Sequence, residues 1–170
     1  MGAMNESDEI LEVFDRRNRL IGQASRGSIH RFGLYHRAVH IFVLDAHGRL
    51  YLQLRQAHKD QYPLHWDTSA AGHVSPGEDY AAAAARELAE ELGLQGDLTQ
   101  VAAVPASPNT GWEHVVLFQM QTDVAPQPNP AEIKTGNFFT AAEVRWLLND
   151  PATAVTPAFR LLYELWRSAT

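Results

Sequence analysis

A chain of 170 residues, 45% hydrophobic and 20% charged, suits one soluble domain with its own core, and excludes disorder, a collagen-like repeat and a coiled coil. Fourteen Lys and Arg against twenty Asp and Glu leave a net charge of −6, so sequence-independent nucleic-acid binding is not expected. Cysteine is absent, which rules out disulfides, thiolate zinc sites and cysteine nucleophiles.

No apolar run reaches the roughly 20 residues that span a bilayer, so no membrane partner is expected. The first residues are acidic and lack a signal-peptide core. Residues 1–8 read as a tag remnant and flexible N-terminus, with Met1-Gly2-Ala3 as an expression scar. Residues 9–170 read as a single domain of a cytoplasmic protein.

Ile10 to Phe14 reads as a strand, closed by Asp15 to Asn18 and returning at Leu20 to Gln23. Ser25 to Gly33 is polar and ambiguous. Ala38 to Leu44 is a β-branched run, Asp45 to Gly48 a turn, and Leu50 to Leu54 an alternating partner strand. Gln56 to Leu64 follows as a polar loop and Asp67 to Ala71 as a short strand. The clearest helix runs from Asp79 to Leu92, with an apolar stripe of Ala81, Ala84, Ala85, Leu88 and Leu92 and a stop at Gly93. Leu98 to Val104 and His114 to Thr122 are further strands, Ala125 to Pro130 is a loop, and Phe138-Phe139 a short strand. Thr140 opens a helix over Ala141 to Leu148. Thr156 caps the last helix, with Pro157 at its first position and Phe159, Leu162, Tyr163 and Trp166 as its apolar stripe. The sum is an α/β fold: one domain of mixed strands with helices on both faces.

Glu87, Glu90 and Glu91 fall at i, i+3 and i+4, so three like charges share one face of the helix and repel by a few tenths of a kcal/mol. A hard divalent cation would make that placement favourable, since Mg²⁺ and Mn²⁺ take oxygen ligands. A solvated surface is the plainer reading of those three alone. The flanks change it. Gly72, five residues, Glu78, seven residues, Arg86-Glu87-Leu88, one residue, Glu90-Glu91, one residue, Gly93-Leu94 fill every fixed position of a 23-residue pattern.

That pattern is the signature of the Nudix hydrolases, and the chain resembles them across it. The resemblance implies the Nudix fold, a mixed sheet sandwiched between helices (α/β/α), and metal-dependent hydrolysis of a diphosphate linked to another group. By position, Glu87, Glu90 and Glu91 match the metal carboxylates, Arg86 the arginine that braces them, and Glu78 the glutamate supporting the helix start. Gly72 matches the loop glycine whose carbonyl can face the metal. An anionic site repels an anionic small-molecule diphosphate. A bridging Mg²⁺ or Mn²⁺ cancels that charge and brings a bound water toward neutrality. Some carboxylate must accept the water's proton: a box glutamate, Glu113 or Glu132.

From about Glu12 to Glu143 the chain also resembles the isopentenyl-diphosphate-isomerase-like branch, most visibly at His36-Arg37-Ala38, Leu52-Gln53-Leu54-Arg55, Pro63, Trp66 and Gly72-His73. Those isomerases carry a cysteine just before the Gly-His pair, where Ala71 stands here. To their His/Glu metal cage His36, His73 and Glu113 match residue by residue. The plainer reading of the two histidines is a satisfied strand-start residue for His36 and a loop residue near phosphate for His73. Tyr62, Trp66 and Trp112 either stack on a base or pack loops. A whole hydrolase box with no cysteine favours hydrolysis over isomerisation, and over a binding or regulatory module of the same fold. The apolar N-terminal hairpin and the fold's habit of pairing suggest a homodimer.

Overall fold

One strand organises the layers. In the computed structural model, which describes residues 5–170, β3 (His36–Leu44) is buried along nearly its whole length. Its side chains alternate between two cores. Val39, Ile41 and Val43 point into a cluster with α2 (Tyr80–Leu92). Ala38 and Phe42 point the other way, into a cluster with α3 (Ala141–Asn149) and α4 (Pro157–Ala169). A strand covered on both faces reads as a continuous apolar run. The α/β/α sandwich expected from the sequence is therefore the fold observed.

The sheet is mixed. β3 runs parallel to β8 (Glu113–Gln121) from His36↔Glu113 to Leu44↔Gln121, and β7 (Thr99–Val104) lies antiparallel outside β8. On its other side β3 pairs antiparallel with β6 (Ala70–His73) over Ala38↔His73 to Ile41↔Ala70. The expected hairpin between β3 and β4 (Leu50–Arg55) closes at its turn and then opens, because Leu44↔Leu50 is its single pair. β4 instead takes β9 (Ile133–Phe139) and the short β5 (Trp66–Asp67) as partners. Ser69 fills the gap, its hydroxyl accepting from Val43 N–H and donating to the Tyr51 carbonyl. That hydroxyl satisfies backbone groups the parted strands cannot offer each other.

Several sequence expectations need correction. The stretch Asp67 to Ala71 is two strand pieces, β5 and β6, rather than one. β9 is seven residues rather than two; its polar members Lys134, Thr135 and Asn137 hid it. On α2 the buried stripe is Ala83, Ala84, Leu88 and Leu92, whereas Ala81 and Ala85 are exposed. Five consecutive alanines carry no facial information, and buried Glu91 turns the helix further than an apolar stripe alone implies.

The ambiguous stretch is a helix, α1 (Arg26–Phe32), capped by Ser25, whose hydroxyl accepts the Ser28 N–H at 3.2 Å, and ended by Gly33 at φ 61°. It packs Ile29 against Leu11 and Val13 of the hairpin β1 (Ile10–Phe14) and β2 (Leu20–Ser25). Of the expected N-terminal tail, residues 1–4 lie outside the described residues, and Glu6–Asp8 forms a 3-10 turn. Among the described residues no helix is long and apolar enough to cross a membrane.

Candidate active site

Arg86 gathers the signature residues into one web. Its Nε and Nη2 donate to both Glu78 oxygens at 2.9 Å each. Nη2 also donates to the His73 carbonyl at 2.9 Å, and Nη1 to Glu87 at 2.7 Å and Glu90 at 3.4 Å. Glu78 in turn accepts the Ser75 N–H at 2.9 Å, so the loop before α2 is tied to the helix through one guanidinium. Arg86 holds the Glu78 carboxyl below its ordinary range, and this outweighs the burial that would raise it.

The three metal-type carboxylates differ in depth. Glu90 is exposed, Glu87 is mostly covered, and Glu91 is only 6% exposed. Glu91 is fixed by Gln53 Nε2 at 2.7 Å and by the Ala71 N–H at 3.2 Å. Among the described residues it has no cationic partner. Burial, reinforced by Glu87, pushes Glu91 up to about 8. Burial likewise raises Glu87 to about 7, against the pull of Arg86. Gly72 lies directly against Glu87: a Cβ at position 72 would overlap its carboxyl group. The glycine is needed for this close approach, not for an unusual backbone angle.

These residues border a cleft of about 530 Å³ that also receives Ala71, His30, His73, Glu113, Glu132, Arg55 and Lys59. His36 lies behind it, 1% exposed. His36 and His73 do converge on Glu113, with Nε2 atoms 3.3 and 3.2 Å from its Oε1. Burial works to raise Glu113, but the two imidazoles outweigh it and hold the carboxyl well below the usual range. Sequence reasoning missed the third imidazole, His30 of α1. His30, His36 and His73 each offer a ring nitrogen within 4.8 Å of the others. Nε2 of His30 is buried without a hydrogen-bond partner, and Nε2 of His36 is buried with the Glu113 carboxylate at 3.3 Å, too poorly aligned for a hydrogen bond. In a neutral His36, Nδ1 donates to the Leu34 carbonyl at 2.9 Å, which leaves a lone pair on Nε2, and a cation is one partner for buried lone pairs of this kind.

Other candidates separate. Glu132 is ion-paired with Lys59. Trp66 packs on Phe139 with ring centroids 5.2 Å apart, a core role. Trp112 stands outside the cleft, beside Tyr35. Gln53, Arg55 and Lys59 border the cleft without having been singled out as site residues.

The NUDIX domain sequence model matches residues 34–160, which takes in the carboxylates, Arg86 and Gly72 but not His30. The chain belongs to the Nudix hydrolase superfamily. This Nudix chain is 38% identical to an isopentenyl-diphosphate Delta-isomerase of Nocardia farcinica, covering 91% of this chain and 93% of that one. It is 34% identical to an uncharacterized Nudix hydrolase of Streptomyces coelicolor, covering 88% and 84%. Among solved structures, DR0079 of Deinococcus radiodurans superposes with a TM-score of 0.79 at 26% identity, covering 95% of this chain and 99% of that one.

Nudix hydrolases generally use divalent cations, and the residues here fit one. Glu87, Glu90 and Glu91 are hard oxygen donors on one cleft wall, and Glu91, the deepest, has only neutral partners.

Proposed function

We propose that the protein is a divalent-metal-dependent pyrophosphohydrolase that cleaves a diphosphate linked to another moiety. The observation that carries this reading is the Arg86 web, which holds Glu87 against Gly72 and Glu90 one turn on, beside buried Glu91 on the cleft. Glu87, Glu90, Glu91 and the Gly72 carbonyl would hold Mg²⁺ or Mn²⁺, which when bound neutralises phosphate charge and lowers the pKa of water. Arg55 and Lys59 also border the cleft, paired with Asp67 and Glu132, and would meet anionic oxygens by exchanging those partners. Glu113 is committed to two histidines and Glu132 to Lys59, so a box glutamate is left to accept the proton. We assign His30, His36, His73 and Glu113 to a second cation site. The exposed apolar residues Ile10, Leu20 and Ile21 on the hairpin support a homodimer joined there. A monomer by sedimentation at micromolar concentration would remove that part.

Isomerisation is the competing chemistry, given the Nocardia relative. Ala71 borders the cleft and can neither donate a proton nor attack. The deciding experiment offers the protein nucleotide sugars, dinucleotides, nucleoside triphosphates and isopentenyl diphosphate with Mg²⁺ or Mn²⁺. Release of phosphate or a nucleotide is expected, with isopentenyl diphosphate left unrearranged by NMR. Formation of dimethylallyl diphosphate would overturn the assignment, and inertness toward every diphosphate would favour a binding module. In the same samples, metal analysis should find an ion that His36→Gln releases.

A further inference from the structure

Between Ala38 and Phe42, on one face of β3, stands His40, only 5% exposed and bordering the carboxylate cleft. Its Nδ1 lies 2.7 Å from the Thr68 hydroxyl, which donates its own proton to the Ala70 carbonyl at 3.3 Å. A hydroxyl has one proton to give, so the imidazole is the donor in the first of these bonds. In the neutral ring that leaves a lone pair on Nε2. Among the described residues no protein group pairs with that nitrogen, and it is not sealed from the cleft. Burying an imidazole costs free energy that an apolar side chain would not. Half of its polar capacity is spent inside the fold, and half is left to the cleft.

The surroundings decide what can meet it. Ala71 faces His40 across the β3–β6 ladder and Ala38 precedes it on the same face, so small side chains leave room beside the ring. The start of α4 belongs to the same end of the cleft, tied to His40 through Thr68 and Asp67. The Asp67 carboxylate accepts the Thr68 N–H at 2.8 Å and the Thr156 hydroxyl at 2.9 Å, and Thr156 accepts the Phe159 N–H at 3.1 Å. Pro157 has no N–H, and Arg160 donates to the Thr156 carbonyl. Among the described residues the Ala158 N–H is therefore the unpaired donor of that first turn, and Ala158 borders the cleft. Buried Asp67, at the same place, disfavours an anion. A hydrocarbon would strip water from both free groups and pair with neither. A hydroxyl uses both, donating to Nε2 and accepting from the helix N–H.

We propose that His40 is a specificity-determining residue, whose Nε2 accepts a hydrogen bond from a hydroxyl on the group that the diphosphate carries. Thr68 is the positioning residue that fixes the ring and its tautomer. Resting on the hydrolase reading, which puts the diphosphate on the carboxylates, this contact selects what lies beyond it.

The test uses esters of methylenediphosphonate, whose P–C–P bridge is not hydrolysed, so binding is read without turnover. The butyl ester is compared by calorimetry, with Mg²⁺ present, to its 2-hydroxy, 3-hydroxy and 4-hydroxy counterparts. At least one hydroxylated ester is expected to bind about fivefold or more tighter than the butyl ester, because the hydrocarbon leaves a desolvated acceptor unmet. His40→Leu should erase that preference and leave the affinity for the butyl ester unchanged. His40→Gln, which keeps an acceptor, should retain part of it. Thr68→Val leaves His40 in place and should reduce the preference, which guards against a folding defect in the His40 variants. Equal binding of all four esters by the wild type overturns the proposal. So does a preference that survives in His40→Leu while all four affinities and the Tm fall together, the mark of packing alone. A hydroxyl preference in a protein that cleaves no diphosphate would sustain the role of His40 while refuting the hydrolase.

Discussion

Glu91→Gln should lower turnover about a hundredfold or more, the scale of removing a principal electrostatic contact at a reacting centre. Glu91 is the deepest of the three carboxylates, and Gln53 and the Ala71 N–H fix its position. The amide keeps the shape and loses the charge. It also meets two donors with one acceptor, so a small cost independent of pH is expected. The dependence on pH has a definite sign. The Glu91 carboxyl has an ordinary value of 4.5 and lies at about 8 in the folded, metal-free protein. An acid raised by folding holds its proton in the native state, so its stabilising contribution is complete below 4.5 and is lost as the pH rises to about 8. Gln does not titrate. With chelator present, the Tm of Glu91→Gln minus that of the wild type should therefore grow between pH 5 and pH 8. A difference flat with pH, or turnover within about threefold of wild type, would sink the assignment of Glu91 as a buried metal carboxylate.

Gly72→Ala should be nearly as damaging, although it adds one methyl group. The methyl and the Glu87 carboxyl cannot occupy the same space, and Gly72 is held in place by its pairing with Val39 in β3. Either β6 retreats from the sheet or Glu87 leaves its position beside Arg86. A displacement of about 1 Å at a reacting centre is worth about a hundredfold in rate. Turnover should fall by that order, and thermal stability should fall too. A double-mutant cycle distinguishes this close approach from general damage: in a Glu87→Ala background, Gly72→Ala should cost little stability. An equal cost in both backgrounds would show that the glycine serves something other than Glu87.

The signature from Gly72 to Leu94 was legible because its geometry is local: one loop, one helix, and a guanidinium reaching eight residues back to Glu78. The strand order was less so. Leu50 to Leu54 looks like a hairpin partner for β3, and nothing short-range says that β4 will pair with β9 instead. β9 itself is disguised by Gly136, which lies where a Cβ would overlap the Tyr51 hydroxyl. His30 was invisible for a further reason. Its helix has seven residues, includes Gly27, and contributes a single buried apolar side chain, too little to set a period. Ser25 and Gly33 were the available signals, a cap at each end. The burial of Glu91 was hidden as well, because its partners Gln53 and Ala71 are distant in sequence and one of them acts through backbone.

That backbone contact bears on how chemistry is written onto this scaffold. Residue 71 supports Glu91 with its amide N–H, a group that every amino acid except proline supplies. Its side chain is not needed for that support. Position 71 is therefore open to substitution at the wall of the cleft, and the frame that holds the carboxylates does not depend on which small side chain stands there. Alanine makes the wall inert; a thiol would make it reactive while Glu91 stayed where it is. One scaffold can in this way present two kinds of reaction centre that differ, at this point, by a single sulfur atom.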